Sequence, residues 1–151
     1  MIIKTTKFGD IEAHEKSIIH FPEGILAFEN SKRFILIPVN NNPFFKWMQA
    51  VDEPDLVFLL VDPFVIKEFY CLELDESLKY YLGIEKQEDT LVLAIVTVPR
   101  GGFKQATANL LAPIVINLAL MKAKQVVLEG SHDDIKYPLF AQKNNQKASS
   151  A

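Results

Sequence analysis

The chain has 151 residues, 49% of them apolar, and 16 basic against 19 acidic side chains leave a net charge of −3. That is enough for one domain burying about two-thirds of its unfolded surface, with no metal or disulfide needed to hold it. The acidic balance argues against nucleic acid as a direct partner and mildly for a basic protein.

The N-terminus, MIIKTTKFGD, lacks an apolar signal core, and no window approaches a membrane span. A soluble, cytoplasmic protein is expected, with no membrane partner. The single cysteine, Cys71, excludes an internal disulfide, suits a reducing compartment, and reads as a small half-buried apolar residue.

In chain order, Ile2–Thr5 and Asp10–Ala13 read as strands of a hairpin turning at Gly9. Ser17–Phe21 is a third strand, broken by Pro22 and Gly24. Arg33–Val39 is strand-like, and Asn40–Pro43 is a loop by composition. Phe44–Val51 alternates, with Phe45, Trp47, Gln49 and Val51 on one face and Phe44, Lys46, Met48 and Ala50 on the other. Taking the Phe45/Trp47 face as core turns Phe44 outward. Val51–Asp55 is a proline turn, and Leu56–Val61 is its fully apolar return strand.

Asp75–Leu82 is the one helix expected. Asp75 can cap it, Leu78, Tyr81 and Leu82 share a face, and Gly83 suits a left-handed stop. Leu91–Val98, rich in Val and Ile and ended by Pro99, is the central strand, covered on both faces. Pro99–Gly102 is a tight turn. Thr107–Asn117 returns through the core with Pro113 in its middle, which demands a bulge or an edge there. Thr107, Asn109 and Asn117 are expected to satisfy backbone groups at strand ends. Leu118–Lys124 is ambiguous, Gln125–Leu128 reads as a last strand, and Glu129–Asp134 is a loop. Residues 141–151 form a polar tail expected to lack structure.

Roughly ten short strands with one helix indicate a mainly β fold, an antiparallel barrel or sandwich over residues 1–140. Leu59, Val61, Trp47, Leu93, Ile95 and Val115 are the expected core.

The search for chemistry returns no catalytic residue, metal site or cofactor site. His14, His20 and His132 show no metal-ligand spacing with one another or with Cys71. Gly101-Gly102 lacks the lysine and helix of a phosphate loop, and no serine sits in a nucleophile elbow. Asp52, Glu53, Asp55 and Asp62 cluster around one hairpin. A small-ligand-binding or hydrolytic barrel would require two of them in a deep pocket with a raised pKa. Set in turns beside prolines, they read more simply as turn formers and surface charge.

Apolar residues near turns are the remaining signal, because Phe44 and Phe45 cannot both face inward. The candidate partner surface comprises Phe44, Phe64, Glu68, Glu73, Val98 and Phe103, apolar groups beside loops with an acidic rim.

Pro43–Phe64 (PFFKWMQAVDEPDLVFLLVDPF), Leu91–Pro99 (LVLAIVTVP), Thr107–Asn117 (TANLLAPIVIN) and Lys124–Leu128 (KQVVL) together resemble the flagellar assembly factor FliW family. Phe8–Glu12 and Phe21–Glu29 are similar to it as well, so the likeness runs in order across residues 1 to 140. The chain departs from the family pattern at three places. Leu26-Ala27 replaces a usual Pro-Gly, Glu53 replaces an aspartate, and Tyr137-Pro138-Leu139 replaces His-Pro-Leu. The resemblance implies a small β-barrel-like fold without catalysis. It also implies two cytoplasmic partners, flagellin and the RNA-binding translational regulator CsrA. In that scheme secretion of flagellin frees the factor to capture CsrA and release flagellin mRNA.

Overall fold

A computed structural model describes residues 1–140; the polar tail lies outside them. Along the chain run β1 (Ile2–Thr5), β2 (Gly9–Glu12), β3 (Ile19–His20), β4 (Arg33–Val39), β5 (Asn42–Ala50) and β6 (Val57–Val61). After the helices α1 (Pro63–Ile66) and α2 (Glu76–Leu82) come β7 (Thr90–Thr97), β8 (Thr107–Ala108), β9 (Ile114–Asn117), β10 (Lys122–Gln125) and β11 (Tyr137–Pro138). The fold is mainly β.

Strands β7, β6, β5, β4, β3, β10 and β9 pair in that order, and β9 pairs back onto β7, closing a barrel. Closure leaves few strand edges free to pair with other chains. Every ladder is antiparallel except the single parallel pair His20–Lys122 between β3 and β10. Outside the barrel, β1 and β2 form a separate hairpin, and β8 and β11 extend the sheet from the far half of β7.

β7 serves two partners on one side. Its Thr90–Leu93 half pairs with β9, and Val96 and Thr97 pair with β8. The expected continuous return over Thr107–Asn117 is therefore cut in two. Pro113 has no N–H for a ladder, and the Asn109 side chain accepts the Leu111 N–H at 3.0 Å in a local turn. The interruption lets one return segment serve both the barrel wall and the outer layer.

The barrel interior is filled by residues from all of its strands. These include Ile19, Phe34, Met48, Ala50, Leu60, Leu93, Ile114, Ile116 and Ala123. Along β5 the interior face is thus Met48/Ala50, opposite to the expected one. Phe45 belongs to a second, outer cluster with Val61, Ala94, Val96, Ala108 and Leu110. Trp47 is half-buried on that same outside, where the Phe8 ring meets it edge-on at 6.0 Å and Lys7 Nζ lies 4.5 Å from its ring centroid. The two faces of β5 are about equally apolar, so alternation alone does not say which is inside. A third cluster, Ile3, Ile18 and Ile35, fastens the β1–β2 hairpin to β4.

α2 forms as its sequence suggests. The Asp75 carboxylate accepts the Leu78 N–H, and Gly83 closes the helix at φ 68°. A second helix, α1, was not foreseen. Asp62 accepts the Phe64 N–H and Pro63 takes the first turn, so the Asp-Pro pair read as a strand stop is equally a helix start. The last barrel strand lies at Lys122–Gln125, three residues before the expected Gln125–Leu128. Val126 and Leu128 instead donate to the Pro113 and Leu111 carbonyls. Cys71 is exposed in the connector between the helices, not half-buried. Among the described residues, no helix is long and apolar enough to cross a membrane.

Candidate partner-binding surface

The candidate residues are all exposed, Phe44 at 47%, Phe64 at 50%, Val98 at 48% and Phe103 at 45% among them. Glu68 and Glu73 are exposed as well. They do not form one patch.

Val98 and Phe103 line the same hollow. The β4–β5 reversal, with Asn41 at φ 61°, forms one wall, and Phe45, Trp47 and Leu59 form the floor. Gly102, at φ 104°, turns the chain so that Phe103 folds back over the outer cluster. Its ring lies 5.8 Å from that of Phe45 and 5.1 Å from that of Phe140. Phe44, between two lining residues of this hollow, is exposed because it lies at the entry of β5, not because the opposite face is the barrel core. Phe45, Trp47, Leu59 and Phe140 were missing from the sequence-based surface. The adjacent asparagine run marked the wall but not the floor.

Phe64 sits elsewhere. On α1 it meets Tyr70 edge-on at 5.2 Å, and Tyr70 Oη donates to the Leu110 carbonyl at 3.0 Å, fixing the start of the connector. Burial raises the Tyr70 pKa, with Asp134 adding to the effect. Beyond α1 the chain passes through Phe69, 91% exposed and at φ 62°. A phenylalanine held in the left-handed region and offered to solvent is unusual, and no sequence pattern announces it. Phe64 also borders a cleft of about 510 Å³ between the connector, α2 and the outer side of β7. Glu68 and Glu73 lie in the connector without entering the lining of either hollow. The Asp62 N–H bonds the Phe44 carbonyl at 2.9 Å, so the two regions adjoin at the end of the β5–β6 ladder.

The carboxylates of the hairpin have structural partners. Asp52 pairs with Arg33, which donates Nε and Nη2 at 3.0 and 2.6 Å. Glu53 accepts the Ser31 hydroxyl at 2.7 Å, Asp55 accepts that of Thr6, and Asp62 caps α1. The Arg33 guanidinium holds the Asp52 carboxyl below the usual range, the reverse of what a general acid requires. Among the described residues no three His, Cys, Asp or Glu side chains gather as a metal site. The asparagines read as backbone partners behave so. Asn117 Nδ2 reaches two carbonyls of the α2 end, and its Oδ1 takes the Ala119 N–H.

The family model described as FliW protein matches residues 2–139. This chain belongs to the FliW family. A flagellar assembly factor FliW of Moorella thermoacetica is 41% identical over 140 residues, covering 93% of this chain and 89% of that protein. The FliW of Syntrophus aciditrophicus is 43% identical over 141 residues, covering 93% and 88%. A crystal structure of the flagellar assembly factor FliW superposes with a TM-score of 0.83 at 38% identity, covering 95% of this chain and 99% of that one. The barrel fold is therefore the FliW fold. These relatives are named as assembly factors, not as enzymes.

The departures from the FliW pattern acquire physical content. Leu26 and Ala27 are the middle of a turn closed by the Phe28 N–H on the Ile25 carbonyl, and Ala27 has φ 72°. Positive φ at the third turn position is the type II geometry, which favours Pro-Gly. Here Leu26 keeps an N–H that proline lacks, and donates it to Gln125 Oε1 on β10 at 2.9 Å.

Proposed function

We propose that this chain is a non-enzymatic cytoplasmic regulator that binds flagellin and, when free of it, binds CsrA, so coupling flagellin synthesis to its secretion. The observation that carries this reading is the aromatic hollow of Phe45, Trp47, Val98 and Phe103 on the outside of a FliW-family barrel. Exposed aromatic groups beside a packed floor are what a protein partner's anchor residues need. The acidic chain suits a basic RNA-binding partner.

The test mixes the purified chain with purified flagellin and with purified CsrA at micromolar concentration and follows each by calorimetry. Both should bind, and flagellin in excess should release CsrA. Absence of binding to both proteins overturns the reading.

A further inference from the structure

One short stretch of β7, Thr90–Leu93, pairs with β9 on one side and has no ladder partner on its β6 side. The Asn109 N–H bonds the Ile95 carbonyl, and the Leu118 N–H bonds the Asp89 carbonyl. Between them, Leu91 and Leu93 stand opposite Ile116 and Ile114 of β9. By the two-residue alternation of an antiparallel ladder, the main-chain groups of Thr90 and Val92 point the other way, toward β6. β6, however, has already ended. Its last pair is Val61 with Ala94, and Asp62 turns its N–H to Phe44 as α1 begins. The Thr90 N–H is taken by Gln87. The Val92 N–H, the Val92 carbonyl and the Thr90 carbonyl have no partner among the described residues.

That open edge is one wall of the 510 Å³ cleft. Leu72, Leu74 and Ile84 face it with apolar surface, and Thr90, Leu91 and Val92 complete it. The Thr90 hydroxyl is buried and likewise unpartnered. Three carboxylates, Asp62 and Glu85 lining the cleft and Glu73 between its lining residues Leu72 and Leu74, form no ion pair among the described residues, while Lys79 is occupied by Glu76 at 3.6 Å.

We propose that this cleft takes an extended peptide segment of a partner protein, added as a strand alongside Thr90–Val92. A backbone is the ligand that supplies a donor and an acceptor to one residue at strand spacing, as Val92 requires. Alternate apolar side chains of that segment fill the space against Leu72 and Leu74. Basic residues flanking it meet the unpaired carboxylates. The inference rests on the chain working through protein partners, but it is tested with peptides alone, so its failure leaves the flagellin reading standing.

The probe is a random twelve-residue peptide library displayed on phage, panned against the full chain, followed by the recovered sequences as synthetic peptides. The expected peptides alternate apolar residues, carry Lys or Arg at their ends, and slow hydrogen exchange of the Val92 amide. Val92→Pro removes the N–H at an edge position and should weaken them about tenfold or more. Should that variant fold poorly, the peptides themselves decide. N-methylation along one edge should abolish binding, while methylation along the other edge should leave it intact. Peptides that bind Val92→Pro unchanged, that tolerate methylation on both edges, or that leave Val92 exchange unaltered overturn the proposal. So does panning that recovers no peptide competing at this cleft. A concentration-dependent dimer that Val92→Pro dissolves would make a second copy of this chain the occupant, and would also overturn it.

Discussion

Asn117 Nδ2 donates to the carbonyls of Leu82 and Gly83 at 2.8 and 3.1 Å, tying the end of α2 to the closing strand of the barrel. The side chain is 1% exposed. Removing it leaves the buried Leu82 carbonyl at the helix end without this partner. Asn117→Ala should therefore cost about 2–3 kcal/mol, near the upper range for a buried hydrogen-bonding group. A urea midpoint within error of the parent would show that the tie carries no stability.

The turn at Ala27 stores strain that a single change relieves. An L-residue in the left-handed region costs about 1–2 kcal/mol, against roughly 0.5–1 kcal/mol of extra chain entropy for glycine. Ala27→Gly should raise stability by about 0.5–1 kcal/mol, measured by denaturant melts. Gly24, at φ 69°, gives the opposite result. A Cβ there would run into the Glu29 backbone carbonyl, so Gly24→Ala should destabilise markedly. Adding proline at Leu26 would forfeit the bond to Gln125 and should not reproduce the gain from Ala27→Gly.

The Arg33–Asp52 pair sets a pH dependence whose sign is fixed. The Asp52 pKa is lowered in the folded chain, chiefly by the Arg33 hydrogen bonds. The stability from the pair is therefore present above the unfolded pKa of about 3.9 and is lost as the pH falls through the lower folded value. With the Asp52 side chain 58% exposed, screening holds the pair to about 1 kcal/mol or less. Asp52→Asn should be slightly less stable than the parent at pH 7, and the difference should shrink as the pH falls below the unfolded pKa. A difference that grows on acidification would contradict this origin.

How much of the molecule could be read from its residues depends on which physical signal was local. The Asp75 cap and Gly83 stop of α2, the β5–β6 hairpin and the span of β4 are local, and each was legible. Which face of β5 looks inward is decided by barrel closure, a relationship among distant strands. Val61, Leu93 and Val115 are accordingly buried as expected, while Leu59, Ile95 and Trp47 are only half-buried. The exposed candidates were legible from turns and proline breaks. The hollow that joins Val98 to Phe103 was not, because its floor comes from β5 and β6.

Met48 tests the inward face directly. Its side chain is fully buried inside the barrel. Met48→Ala should cost about 2–5 kcal/mol. Trp47→Ala, though it removes a larger side chain, should cost less, because Trp47 lies only half-buried against Phe8 on the outside. Thermal melts of the two variants check the order, and the reverse order would place the barrel core on the other face.

The candidate partner surface separates into groups that should fail in different ways. Phe103, Val98 and Phe44 offer apolar contact, so truncating each to alanine should remove buried area in the complex and speed dissociation. Loss at an anchor of this kind is typically about 2 kcal/mol or more, some thirtyfold in affinity. Phe103 should be the most sensitive, because it touches both Phe45 and Phe140 and shapes the hollow as well as lining it. Glu68 and Glu73 are exposed charges with no ion pair among the described residues, so reversing them to lysine should act on encounter. Their effect should fall on the association rate, shrink in high salt, and be larger for a basic partner. Surface plasmon resonance against flagellin and CsrA, at two salt concentrations, resolves both rates for every variant that keeps the parent melting temperature. If all such variants bind both partners with the parent's rates, the surface lies elsewhere on the barrel.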